Sequence, residues 1–313
     1  MPKNHQITFS LLSYEVNRPL SDDERRYHLP QGKPSLSRPI HLLSVIKMNS
    51  TFLECVDRVY GSRGAMAGCA IVLGPLLFGI TGEILGDIFG VFYAGAGKQR
   101  GDILLLLFET LFVLLMIIGY IIALKADCFR HTHYPLRFNR RTRMVHVFRN
   151  DGSVLSVPWD KVYFTLGYLA ADFWEVLGHV LSDDGNTVLD TFPLSIRHIW
   201  DNSPGTTMYS QWEFIRRYME EGPEKLCGQV DLVMPIDEQR ESYLHGFKRL
   251  FANYLRWPVA MVILSPALFI GTIGRRIAMQ TSKIPRWPAE VEAESQIDPN
   301  DPYIRDEHHL AAS

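Results

Sequence analysis

Charge of one sign is what this chain most conspicuously lacks. Among its 313 residues, 32 Lys and Arg stand against 34 Asp and Glu, a net charge of −2. No global field draws it to nucleic acid, so nucleic-acid binding is not expected. Cysteine is scarce as well. Cys55, Cys69, Cys128 and Cys227 are widely spaced and form no C-x-x-C pair, which excludes a disulfide framework and suits a reducing compartment or buried thiols. The opening MPKNHQITFS has no basic stretch followed by an apolar one, so no cleaved secretory signal is expected. Motifs of chemistry are missing too. Gly97-Lys98 and Gly32-Lys33 do not complete a phosphate-binding loop, and neither G-x-S-x-G nor H-E-x-x-H occurs. His131, His133, His308 and His309 have no further ligands at workable spacing, and Cys227 has no evident base beside it. The expectation is a non-enzymatic protein without metal or cofactor.

Long apolar runs, by contrast, are abundant. Ala65 to about Phe92 begins with AMAGCAIVLGPLLFGITG, and Ile103–Leu124 reads ILLLLFETLFVLLMIIGYIIAL with Glu109 as its single charge. A soluble helix would keep a polar face at the 3.6-residue period, and neither run has one. Each is long enough, or nearly so, to cross a hydrocarbon core of about 30 Å. The short Gly-rich connection at about 93–102 makes 65–124 an antiparallel transmembrane hairpin. A third, shorter block, 257–273 (WPVAMVILSPALFIGTI), contains Pro258 and Pro266. A span, a re-entrant or interfacial segment and a buried helix of a soluble domain all fit it.

Basic residues orient the hairpin. Lys125, Arg130, Arg137, Arg140, Arg141 and Arg143 follow it, Lys47, Arg58 and Arg63 precede it, and its connection holds Lys98 and Arg100. The positive-inside rule puts both hairpin ends in the cytosol. For the third block the rule is silent, because Lys248, Arg249 and Arg256 precede it and Arg275, Arg276, Lys283 and Arg286 follow.

The remaining sequence divides into a polar segment 1–64, a β-rich domain 125–225, a connecting helical segment 226–256 and a Pro-rich, acidic tail 274–313. Within 1–64, a helix is expected at about Ser50–Tyr60, with Phe52, Val56 and Val59 near helical spacing. Between 134 and 192 the pattern is of strands: Tyr134–Phe138, Met144–Arg149, Val154–Val157, Val162–Leu169, Phe173–Leu181 and Thr187–Phe192. Asn150-Asp151-Gly152 and Asp183-Asp184-Gly185-Asn186 are hairpin turns. Residues 208–221 are helical, with Tyr209, Trp212, Ile215 and Met219 as an amphipathic stripe, ended by Gly222-Pro223. The expected fold class is an α+β membrane protein: a transmembrane helical hairpin, a cytosolic antiparallel β-rich domain capped by a helix, and the third short apolar segment. The strand-and-helix layout resembles a pleckstrin-homology-like sandwich. Trp159 and Trp174 are expected in the core or on the sheets, and Trp287 to dock the tail.

Three sets of residues are candidates for function. Glu83 and Asp87 share a helix face, and Glu109 lies inside the second run. They are either a proton or cation site, because intramembrane acids are costly, or interfacial residues. Gly82, Gly86 and Gly90, and likewise Gly64 and Gly68, are spaced for close helix packing, within the hairpin or between chains as a homo- or hetero-oligomer. Arg137, Arg140, Arg141 and Arg143 suit anionic lipid headgroups, and serve topology in any case.

The runs VIKMNSTFLECVDRVYGSRG, RFNRRTRMVHVFRNDGSVLSVPWDKV and KIPRWPAEVEAESQ resemble an uncharacterised family of proteobacterial membrane proteins typically encoded near type VI secretion genes and their toxins. That resemblance implies an accessory or immunity role at the bacterial inner membrane, with a toxin or secretion component as the protein partner. The alternative from the residues is an oligomeric transporter or channel subunit using the intramembrane acids.

Overall fold

The computed structural model describes residues 14–93, 100–168, 174–194, 206–252 and 258–308. Trp257, the first residue of the third apolar block, and Lys98, in the hairpin connection, lie outside them. In chain order the elements are β1 (Arg18–Pro19), α1 (Asp22–Arg26), β2 (Val45–Met48), β3 (Phe52–Cys55), α2 (Ala65–Tyr93) and α3 (Arg100–Asp127). Strands β4 (Leu136–Asn139), β5 (Met144–Phe148), β6 (Val154–Pro158), β7 (Val162–Tyr168), β8 (Trp174–Leu181) and β9 (Thr187–Pro193) follow. Helices α4 (Thr206–Glu221), α5 (Tyr243–Ala252), α6 (Pro258–Thr281) and α7 (Ala289–Glu294) complete the chain. The protein is thus mixed α+β, and it divides into two compact units. One comprises 1–61, 131–240 and 284–313, the other 62–130 and 241–283.

The first unit carries two antiparallel sheets, ordered β1-β9-β8-β7 and β2-β3-β4-β5-β6. The strands of 136–193 lie where alternation and turn residues put them. At the β5–β6 turn, Gly152 has φ +87°, a backbone region open to glycine at little steric cost, and Asp151 Oδ1 accepts from Ser153 N at 2.9 Å. Between β6 and β7, Trp159 is fully buried and stacks on Trp212 of α4 at 5.7 Å, with Phe164 of β7 packed against both rings. This aromatic cluster anchors α4 to the sheets. Trp212, Ile215 and Met219 are buried as their spacing predicts, and Tyr209 packs on the same core. The polar side of α4 is buried too: Glu213 and Arg216 are paired, and Ser35 N and Ile40 N bond to Glu213 and to the Ser210 carbonyl.

The segment before the hairpin departs from expectation. The helix anticipated at Ser50–Tyr60 does not form. Phe52–Cys55 is strand β3, paired with β2 on one side and β4 on the other. All four of its residues are buried, so both faces are covered and the period-2 alternation that identifies a strand is erased. Asn49 Oδ1 accepts from the Thr51 and Phe52 amides and so holds the β2–β3 turn.

In the second unit, α2 and α3 have 29 and 28 residues, and α6 has 24. These three helices are long and apolar enough to cross a membrane by length and composition. The third apolar block is therefore longer than its uncharged part, because the helix continues through Arg275 and Arg276 to Thr281. Helix α3 runs back along α2, and Asp127 Oδ2 at its end accepts from Met66 N at 2.8 Å and Ala67 N at 3.1 Å. It thus satisfies amides at the start of α2 that have no partner within the helix.

Candidate functional site

On the β2–β6 sheet, one register row joins Lys47, Glu54, Arg137, His146 and Ser156 across five strands. Alternation puts them on one face, opposite the buried Leu53, Phe138, Val145 and Val157. Arg137 Nε donates to Glu54 Oε2 at 2.7 Å, and both side chains are at most 4% exposed. Burial pushes the Glu54 carboxyl up, while Arg137 pulls it down. Beside them His146 Nδ1 is 2.9 Å from Ser156 Oγ, and burial lowers His146 to about 4. Lys47 at the edge pairs with Asp237 at 2.8 Å.

The tail covers this row. Arg137 lies between the rings of Phe52 and Trp287, with its guanidinium carbon 4.4 and 4.8 Å from their centroids. Trp287 Nε1 donates to Glu54 at 3.2 Å, Arg137 donates to Glu292 at 3.2 Å, and Asn139 and Arg141 donate to the Glu294 carbonyl. Farther along, Asp301 accepts from Ser50, and Arg305 exchanges backbone hydrogen bonds with Met48. The tail docks through Trp287, as expected, and then continues along the sheet.

The four arginines nominated as a lipid-facing cluster do not form one exposed patch. Arg137 is 3% exposed and occupied as described. Arg143 is held by Asp160 and Glu220. Arg140 donates its backbone amide to the Thr51 carbonyl and is half-buried. Arg141 is exposed, bonded to Glu294. Strand pairing separates them: alternation along β4 and the β4–β5 turn aims consecutive basic residues in different directions.

In the helical unit, Glu83 and Asp87 are exposed and Glu109 is half-buried. At 1.5 Å per residue, Glu83 is about 27 Å along α2 from Ala65, and Glu109 about 27 Å back along α3 from Asp127. The antiparallel packing thus brings Glu83 and Glu109 to one level. A Cβ on Gly82, Gly86 or Gly90 would meet open space, so this stripe is not used for packing inside the unit. The close approach occurs at the other pair of the same spacing. Gly64 and Gly68 lie against Gly271, Gly274 and the Arg275 backbone of α6. Gly64 has φ +86°, and a side chain there would overlap Arg275.

The residue order does not announce a buried charge pair of this unit. Arg275 Nε and Nη2 both reach Glu241 at 2.6 Å, Nη1 donates to the Arg63 carbonyl at 3.2 Å, and the two side chains are 1% and 2% exposed. A bidentate guanidinium–carboxylate pair satisfies both groups at once. Its sequence signal is an arginine ending an apolar run, but the partner carboxylate lies 34 residues earlier, just before α5. Glu54 and His146 escaped for the same reason. Among the described residues, no group of three or more His, Cys, Asp or Glu is placed to hold a metal ion.

A family model matches residues 112–299, more than half of the chain, and is described as a family of unknown function, DUF6708. No curated protein and no solved structure matches the chain.

Proposed function

The chain belongs to the DUF6708 family, and from that premise we propose that it is a non-enzymatic, membrane-anchored protein-binding module of interbacterial competition. In this reading the β-rich body lies on the cytosolic side of a bacterial inner membrane and recognises a toxin or a component of a type VI secretion system. In the immunity version, holding the toxin at the membrane blocks its active or pore-forming state.

The observation that carries the reading is the insertion of α2 and α3 between paired strands. Strand β3 pairs with β4, yet the two apolar helices separate them in the chain. An anchor built into the centre of a sheet ties a folded recognition body to the bilayer more firmly than a terminal helix on a linker. The succession β3–β6, β7–β9 and then α4 is also the element order of a pleckstrin-homology-like sandwich, a fold that serves as a binding platform. Fold alone does not establish function. The type VI context rests on the resemblance of the three sequence runs, and the cytosolic side on the basic residues flanking the hairpin.

The test is genetic. If a toxin gene is encoded beside this one, as the reading requires, a strain lacking only this gene is expected to become sensitive to its kin in contact-dependent co-culture, and deleting the toxin gene as well restores survival. Full survival of the single mutant sinks the immunity reading.

A further inference from the structure

Both ends of the segment that contains α5 and α6 are fastened into the same folded body. Just before it, Met234 N donates to the Val45 carbonyl, Lys47 pairs with Asp237, and Gln239 bonds to Glu307. Just after it, Trp287, Glu292 and Glu294 bond to residues of β3, β4 and the following turn. The chain therefore leaves one compact unit near Arg240 and re-enters it near Ile284. A hydrogen-bonded sheet cannot be shared across a bilayer, so every excursion from that unit must return to the face it left. The excursion through α2 and α3 satisfies this with two antiparallel helices. Helix α6 as a lone crossing would not.

Helix α5 supplies the return path. Glu241, just before α5, holds Arg275, Leu250 lies beside Gly271, and Phe247 and Phe251 pack on Phe269 at 5.5 and 5.7 Å. As α5 advances, its partners on α6 recede, so the two helices are antiparallel and their charged ends coincide. Although α6 as a whole is long enough to cross, its stretch from Pro258 to the buried Arg275 rises only about 26 Å, less than a hydrocarbon core of about 30 Å. Helix α5 has 10 residues, about 15 Å. By contrast, the 29 residues of α2 rise about 43 Å. Val259, Val262 and Ile263 of α6 are 68–71% exposed and Leu244 of α5 is 59% exposed, an apolar surface suited to acyl chains. Lys248, exposed on α5, is about 10 Å from Glu241, within reach of the near headgroups by extension of its side chain.

We propose that α5 and α6 form a re-entrant hairpin that enters the lipid bilayer and leaves by the face it entered, so that only α2 and α3 cross. The Glu241–Arg275 pair then closes the hairpin at its mouth. The whole β-rich unit, including the tail after Lys283, lies on one side of the membrane. This follows from chain connectivity and packing and does not depend on the toxin-binding reading. Failure of the genetic test leaves it standing.

Single cysteines at exposed positions test it in the full-length chain, with the four native cysteines replaced by alanine. Asp151→Cys in the β5–β6 turn and Glu290→Cys in the tail are expected to react with a membrane-impermeant maleimide from the same side of sealed vesicles, and to be protected together when the vesicles are inverted. Val259→Cys is expected not to react from the opposite side. Labelling of positions 151 and 290 from opposite sides overturns the shared-face argument, and labelling of position 259 from the far side alone makes the pair two full crossings. As a control that keeps all native residues, peptide tags inserted after Asp151 and appended after Ser313 are expected to be cleaved by protease, or protected, together. Cleavage of only one in intact vesicles also overturns the proposal.

Discussion

Glu54 and Arg137 face each other across β3 and β4, 2.7 Å apart and 83 residues apart in the chain, with both long apolar helices between them. Their contact joins the two strands that the inserted hairpin separates in the chain, and the tail covers it.

Removing one partner should therefore cost far more than removing both. Arg137→Ala leaves the buried Glu54 without its counter-charge, and is expected to lower stability by about 3–5 kcal/mol. The double variant Arg137→Met/Glu54→Leu should recover most of that loss. Guanidinium unfolding in detergent, followed by tryptophan fluorescence, measures both. Equal losses in the single and double variants would show that the pair is not what the tail and sheet depend on.

The glycines predict a contrast between α6 and α2. Gly274→Ala places a methyl group against the Gly68 amide and the Gly64 carbonyl and is expected to destabilise the helical unit by about 1–3 kcal/mol. Gly86→Ala, directed into open space, should leave thermal stability within about 0.5 kcal/mol or raise it slightly through helix propensity. Thermal melts of the two purified proteins in one detergent decide this. A fall in particle mass for Gly86→Leu would identify its stripe as a contact between copies.

A pH dependence should come from His146, which faces Ser156, Arg137, Glu294 and Trp287. Burial, with Arg137 adding to it, holds the folded imidazole at about 4, against about 6.5 in an unfolded chain. Between these values the unfolded state binds a proton that the folded state does not. This contribution to stability is therefore complete above pH about 6.5, falls as the pH drops toward 4, and levels off below. The stability difference between the wild type and His146→Gln should change across that window and be flat on either side. A difference constant from pH 4 to 7 would contradict it.

For the intramembrane acids, the binding-module reading expects little. The triple substitution Glu83→Gln/Asp87→Asn/Glu109→Gln should leave protection in co-culture unchanged. Loss of protection with normal protein levels would favour the transporter reading instead.

Much of this architecture is local and was legible from residue order. Uniform apolarity over 65–92 and 103–124 marks α2 and α3, because no polar face is left to meet water. Asn150-Asp151-Gly152 and Asp183-Asp184-Gly185-Asn186 set the turns that bring β5 to β6 and β8 to β9. The stripe through Trp212, Ile215 and Met219 marks α4. What only the tertiary structure decided depends on contacts between distant segments. Phe52–Cys55 is a strand because β2 and β4 flank it, and burial of both its faces hides the alternation a strand would display. Arg137 left the expected surface cluster because Phe52 and Glu54 of β3 and Trp287 of the tail enclose it from two separate stretches of chain. Glu241 and Arg275 found each other because α5 folds back on α6. Local sequence governs dihedral preference and solvent partition, but ion pairs and sheet partners are chosen only once the chain has brought remote residues together.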